Sequence, residues 1–241
     1  MKYYELICTA YLKKEINFKE SFEVISKYIS YSMAQDVKLE KLHNSNRFKH
    51  YVFGGLLPIE KERVYHKGNT YTFTIRSVDE SFVIRLSTLL RENINNPYLL
   101  IVETYKKIIK QFFISELYSA TPVIVTTKEG RYWVKEDDLM VLYKQLQDNL
   151  EKKYKNFYTK EIESNQNFIQ LFELKNHRLQ TIQTNNLNSN GKTVKFYGNK
   201  FRIVPHEDEV SQKLAFLALS CGLGEKNSFG GGFCIAKGFR L

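Results

Sequence analysis

The order in which strand-like and helix-like patterns follow one another constrains this chain more than any single residue does. Residues 2–12 (KYYELICTAYL) have the composition of a strand. Asn17 then stands as a helix N-cap, and Glu20 three residues on completes a capping-box pattern. Phe18, Phe22, Ile25 and Ile29 recur at helical spacing and give that helix one apolar face. Residues 33–49 are polar and mixed, with Asn44-Ser45-Asn46 as a loop signal, and strand patterns follow at 50–57 and 70–78. A second amphipathic helix covers about 80–92, with Phe82, Ile84, Leu86, Leu89 and Leu90 available for burial, before strand character returns at 99–103 and 112–118. The resulting order, β-α-β-β-α-β, is the ferredoxin-like arrangement shared by RNA-recognition modules.

The second half repeats the scheme. Strand patterns at 123–127 and 131–134 flank Gly130, and a long helix from near Glu136 carries Leu139, Leu142, Leu146 and Leu150. Residues 168–172 read as a strand, within an Asn- and Gln-rich stretch (164–190) of otherwise little pattern. Residues 193–197 and 200–204 meet at Gly198-Asn199, a two-residue hairpin signal, and a helix over 208–221 precedes a last strand at 233–239. No linker rich in Pro, Gly or Ser divides the halves. The expected fold is α+β: two tandem ferredoxin-like (RRM-like) domains packed together, 1–118 and 119–241. In the expected hairpin Val194, Phe196, Phe201 and Ile203 face inward, leaving Lys195, Tyr197, Lys200 and Arg202 outside. That outer face suits a nucleic-acid platform or an ordinary solvated sheet.

Charge narrows the function. Lys and Arg number 36 against 26 Asp and Glu, a net charge of +10 that points to a polyanionic partner, nucleic acid before an acidic membrane surface. With 17 Phe and 16 Tyr, stacking on unpaired bases is chemically available. Cys8, Cys221 and Cys234 show no metal-ligand spacing and cannot all pair within the chain, which suits a reducing compartment. Lys13, Lys14 and Glu15 interrupt any N-terminal apolar run, and the longest weakly polar run, 214–224, is too short for a bilayer. A cytoplasmic protein without membrane partner is expected. No Asp, Glu and His cluster has metal-site spacing, so neither metal nor cofactor is expected.

Five of the twelve glycines fall between Gly222 and Gly232. Few Cβ atoms stand there, so another backbone or a phosphate can approach the N–H groups. The loop is no Walker A motif, because no Gly-Lys-Ser/Thr ends it. It is no dinucleotide fingerprint either, because it leaves a helix and enters a strand. The pattern Gly222-x-Gly224, five residues including Lys226, then Gly230-x-Gly232 before a terminal strand resembles the signature loop of the repeat-associated CRISPR proteins (the RAMP superfamily). Across its length the chain most resembles the CRISPR-associated endoribonuclease family Cas6; it departs from the usual pattern at Gly231, where the family carries an apolar residue.

The resemblance implies metal-independent cleavage of precursor CRISPR RNA within its repeats. The ribose 2′-OH attacks the adjacent phosphorus, leaving a 2′,3′-cyclic phosphate and a 5′-OH end. Such chemistry needs a base for the 2′-OH, a cation for the developing charge and a further acid or hydroxyl. In some members the catalytic histidine follows the first helix, with a tyrosine fifteen positions before it and a lysine six after. His43, Tyr28 and Lys49 match that spacing. The resemblance thus implies His43 as general base, Lys49 as electrostatic stabiliser and Tyr28 as orienting hydroxyl, with His50 the rival base. Tyr28 also borders the apolar stripe, where a core role is open to it, and Lys49 reads equally as a solvated lysine. Lys226 is the foremost phosphate contact, with Asn227, Ser228, Gly222, Gly224, Gly230, Gly232, Lys195, Lys200 and Arg202 as further RNA-binding candidates. Expected partners are CRISPR repeat RNA, single-stranded or hairpin, with other interference-complex subunits and a homodimer left open. The alternatives are a non-catalytic CRISPR RNA-binding subunit and a general single-strand RNA-binding module.

Overall fold

A computed structural model describes residues 1–187 and 193–239. The first half runs β1 (Lys2–Leu12), β2 (Ile16–Asn17), α1 (Phe18–Met33), α2 (Val37–Asn44), β3 (Tyr51–Phe53), β4 (Val64–Tyr65), β5 (Thr70–Ser77), α3 (Glu80–Glu92) and β6 (Leu99–Lys110). Strand β1 buries Tyr4, Leu6, Cys8, Ala10 and Leu12 at period two, as a central strand packed on one face must. It lies between β5 and β6 in an antiparallel sheet of order β3-β5-β1-β6, while β2 and β4 pair with each other. The helices start where side chains take up otherwise orphaned N–H groups: Asn17 accepts from Lys19, Asp36 from Lys38 and Leu39, and Asp79 from Phe82. Ile25 and Ile29 of α1 and Phe82, Leu86 and Leu90 of α3 close the core over the sheet.

The second half runs β7 (Phe113–Ser119), α4 (Leu139–Tyr158), β8 (Ile169–Leu174), β9 (Gln180–Leu187), β10 (Thr193–Gly198), β11 (Phe201–Pro205), α5 (Glu209–Cys221) and β12 (Cys234–Phe239). Its sheet has the order β12-β7-β11-β8, again antiparallel throughout. In each sheet the last, first, third and second strands of the unit lie side by side. This is the ferredoxin-like order, drawn twice.

Several expectations change. Residues 112–118, counted with the first domain, form β7 and bond only into the second sheet, so the chain changes sheets just after β6. Residues 193–197 and 200–204 do not pair with each other. β10 pairs with β9, and β11 lies between β7 and β8. The chain crosses between sheets at Gly198-Asn199, where Asn199 exchanges both backbone hydrogen bonds with Val123. Gly198 is needed there because a Cβ would fall 2.4 Å from the Val123 carbonyl oxygen. The patterns at 123–127 and 131–134 form isolated bridges, not strands, and the polar stretch 33–49 holds α2. Strand β9 comes from the Asn- and Gln-rich stretch, whose residues 188–190 lie outside the described residues.

The halves meet along a seam. A small third core joins Ile182 and Phe196 of the β9–β10 pair to Ile124, with Phe22 of α1 and Phe229 packed against it. Arg76 of β5 donates through Nη1 to the Cys234 carbonyl at 2.5 Å and stacks 4.3 Å over Phe233. All three cysteines are free and buried, Cys221 and Cys234 beside the seam. No described helix is long and apolar enough to cross a membrane.

Candidate functional site

His43 occupies the last turn of α2. The helix is fixed at its start by Asp36, which caps it and accepts from Arg85 of α3 at 2.8 Å. His43 lines a cavity of about 300 Å³ together with Ser26 and Ser30 of α1, Gln183 and Thr184 of β9, and Phe229 of the glycine loop. Residues from both halves therefore wall one cleft. Burial first, and the nearby Lys49 charge second, lower the imidazole pKa below its ordinary 6.5. Burial also lowers that of the half-buried Lys49. At neutral pH the imidazole is therefore neutral, and the Lys49 charge acts on it although Lys49 does not itself line the cavity; a base with a cation in range is what phosphoryl chemistry uses.

Tyr28 does not join them. Its side chain is fully buried, its hydroxyl donates to the carbonyls of Leu90 (2.7 Å) and Asn93 (3.0 Å) and accepts from the Ile101 N–H. Burial pushes the phenol up to about 12. Tyr28 ties α3 to β6, and the orienting role expected of it falls. The hydroxyls on the cleft wall belong to Ser26, Ser30 and Thr184.

His50 is likewise engaged. Its Nε2 is bonded to Asn156 Oδ1 of α4 at 2.7 Å and its ring packs between Phe48 and Phe157. The backbone is left-handed, with φ 49°, a costly state for a non-glycine residue. The His50 carbonyl accepts from Ser77 Oγ at 2.7 Å and from the Cys221 thiol at 3.7 Å. It is a pin at the seam, set one residue after Lys49.

The glycine loop corrects the simplest expectation most. Gly222, Gly224, Gly230 and Gly232 are all buried, and the N–H groups of Leu223, Glu225, Phe229, Gly230, Gly231 and Gly232 each bond to a carbonyl of the protein. The glycines serve close internal contact instead of open access. A Cβ on Gly232 would lie 1.9 Å from the Leu223 carbonyl oxygen, and one on Gly230 would lie 2.5 Å from the Phe22 ring. Asn227 also turns inward: its Oδ1 accepts from Lys153 at 2.8 Å and its Nδ2 donates to Gly231 at 2.9 Å. Lys226 alone stands exposed on the loop, its Nζ 5.4 Å over the Phe196 ring.

The basic candidates on the expected hairpin separate. Lys195 is exposed on β10, and Lys200 is half-buried, with its pKa lowered by burial and then by Arg63. Arg202 on β11 is ion-paired with Glu116 and, at 3.6 Å, with Glu173, so it is not open to a phosphate. Sequence reasoning missed Lys153 of α4, whose ammonium reaches into the glycine loop, and Glu225, which holds the Thr126 N–H (3.1 Å) and hydroxyl (3.0 Å). The signal for Lys153 was present: it extends the Leu142-Leu146-Leu150 stripe by three residues, so it points to the core. Among the described residues no group of three or more His, Cys, Asp or Glu converges as a metal site would require.

The family model for "CRISPR associated protein Cas6, C-terminal" matches residues 103–235, more than half of the chain. The chain belongs to the Cas6 family. The CRISPR-associated endoribonuclease Cas6 2 of Methanocaldococcus jannaschii is 29% identical over 231 residues, spanning 88% of this chain and 92% of that protein. Among solved structures, a CRISPR associated protein Cas6 matches with TM-score 0.69 at 20% identity, covering 98% of this chain and 99% of its own. A RAMP protein binding different RNA substrates matches at 0.67 and 14% identity, over 97% and 99%. A Cas6 product complex matches at 0.61 and 11% identity, over 98% and 99%. At such identities these likenesses establish the shared fold, the doubled ferredoxin-like order of Cas6.

Proposed function

We propose that this Cas6-family protein is an endoribonuclease that cleaves precursor CRISPR RNA within its repeats, with His43 as the general base. The observation that carries the reading is the position of His43: a neutral imidazole in a cleft walled by both halves, beside a lysine and next to the family's glycine loop. The endoribonuclease name of the Methanocaldococcus jannaschii relative, which aligns with nearly the whole chain, supports it. His43 Nδ1 is buried and has no hydrogen-bond partner among the described residues, which leaves Nε2 to take the proton of a ribose 2′-OH. The 2′ oxygen then bonds to the adjacent phosphorus and the P–O5′ bond breaks. The products are a 2′,3′-cyclic phosphate and a 5′-OH, whose proton returns from the imidazolium or from solvent. Lys49 offsets the negative charge that builds on the phosphorane. Lys226 and Lys195 hold the backbone outside the cleft.

In this reading the first unit cuts and the second grips. Incubation of repeat RNA with the wild type and with His43→Ala, in EDTA, tests it. The wild type should give one defined cut with a cyclic-phosphate end, and the variant should bind without cutting. Binding without cleavage by the wild type would instead indicate a non-catalytic CRISPR RNA-binding subunit. Cleavage that survives in His43→Ala would remove His43 as the base.

A further inference from the structure

Lys153 is 3% exposed, yet the groups it meets are not carboxylates. Its ammonium donates to the carbonyls of Gly222 (2.7 Å) and Gly224 (2.9 Å) and to Asn227 Oδ1 (2.8 Å). An ammonium has three protons, and all three go to one loop. Burying a charge without a counter-charge is unfavourable, and burial pushes the pKa down to about 8, opposed in part by Cys221, Cys234 and Glu225. The three acceptors explain how the charge is tolerated. They also mean that the loop's inward carbonyls converge on a single point.

The same face of α4 reaches the Lys49-His50 segment that follows α2. Asn156 and Phe157, three and four residues after Lys153, hold the His50 ring by hydrogen bond and edge contact. His50 adjoins Lys49 in sequence, and its carbonyl is bonded to Cys221, the residue before Gly222. On the far side of the loop, the Ser228 carbonyl accepts from Ser26 of α1 at 3.0 Å, and Phe229 walls the His43 cleft. One helix therefore fixes the loop that closes the cleft and the segment that carries its lysine.

We propose that α4 sets the spacing of the cleavage site and that Lys153 is its positioning residue, drawing the glycine loop inward so that Ser228 and Phe229 stay seated against α1 beside His43. This rests on the reading of the His43 cleft as the place where RNA is cut. Without the ammonium, three buried acceptors lose their donor and the loop lifts. A displacement of about 1 Å at a reacting centre is enough to slow a reaction on the order of 10²-fold.

Lys153→Met keeps the unbranched apolar stem, one atom shorter, and removes the charged ammonium. Its single-turnover cleavage of repeat RNA at saturating enzyme should fall on the order of 10²-fold, with RNA affinity much less affected. Amide exchange, measured without RNA, should quicken at Leu223, Glu225 and Gly231 while β1 and β5 keep their protection. Raising the pH through about 8 should slow the wild type as Lys153 loses its proton, and Lys153→Met should lack that limb. The groups around Lys153 are Cys221, Cys234, Glu225 and His50, and burial holds both thiols above that range and the imidazole below it.

Unchanged loop exchange overturns the holding role whether or not RNA is cut. Wild-type cleavage with a loosened loop overturns the positioning role. Should Lys153→Met not fold, Asn227→Ala removes one acceptor and leaves two. A several-fold slowing is expected there, and a wild-type rate counts against the proposal. His43→Ala run in parallel judges the underlying reading separately.

Discussion

The two halves of this molecule share one strand order and differ in which connection they elaborate. In the first, the link from α1 to β3 expands into α2 and the Lys49-His50 segment, whereas its counterpart from α4 to β8 is a short loop. In the second, the link from α5 to β12 becomes the glycine loop, whereas its counterpart from α3 to β6 is a plain turn over residues 93–98. The β9–β10 pair is likewise an insertion between the second and third strands of the second sheet. Each half leaves its sheet intact and lengthens a different loop, and the lengthened loops converge on the seam. Neither half builds the cleft alone. Duplicated architecture sets where the parts stand, and unequal loops supply the side chains of the proposed site.

The sharpest way to break this division is His43→Ala, which should lower cleavage by roughly 10²–10⁴-fold, as loss of a general base does, while a gel-shift assay still detects bound RNA. The pH profile has a fixed sign. The proposed base works unprotonated and its pKa lies below 6.5, so on the acid side the rate should hold down through neutrality and decline only below it, separate from the loss above about pH 8 that belongs to Lys153. Lys49→Met comes next, with a loss of about 10²-fold in single-turnover rate and little change in affinity, as removal of a charge-stabilising group predicts. If affinity fell instead and the rate held, Lys49 would be a gripping residue, and the cutting role of the first half would narrow to His43.

Gly232→Ala tests the second half by stability. With φ +68° and the Leu223 carbonyl 1.9 Å from the new Cβ, it should cost about 3 kcal/mol in denaturant unfolding, through strain plus collision. Gly68→Ala is the control from the first half: φ is +87° with open space around the Cβ, so only about 1 kcal/mol is expected. Equal losses would mean that loop packing adds nothing to backbone strain. The smallest effect on cleavage belongs to Tyr28→Phe. It should leave cleavage unchanged and cost about 1–2 kcal/mol, because two buried carbonyls lose a donor.

Regular elements were legible because period and caps agreed. Asn17 caps the first helix as its pattern required, the helix expected over 80–92 forms as α3, and the structure adds Asp79 and Asp208 as the caps of α3 and α5. The Gly198-Asn199 turn was misread because two residues between strands look alike whether the chain reverses or crosses to another sheet. The decisive partner, Val123, lies some 75 residues away in sequence. At the site, His43 was singled out by the resemblance to a family spacing, and the structure places it on the wall of a cavity. The inward turn of Tyr28 was not legible, because a tyrosine at the edge of an apolar stripe meets the core or the solvent according to what packs opposite. The glycines signalled a close approach by a backbone or a phosphate, and the groups that approach them are Leu223, Ile124 and Phe22 of this chain.

The buried thiols at the two ends of the glycine loop carry a practical consequence. Burial pushes Cys221 up to about 11 and Cys234 up to about 12, so neither offers a thiolate while the seam is shut. An alkylating reagent can then consume them only at moments of local opening. Cys8, deep in the first core, supplies an internal reference that reacts when that unit as a whole comes apart. Comparing the three labelling rates, with and without RNA, would time the breathing of the interface directly in the native chain, with no probe introduced.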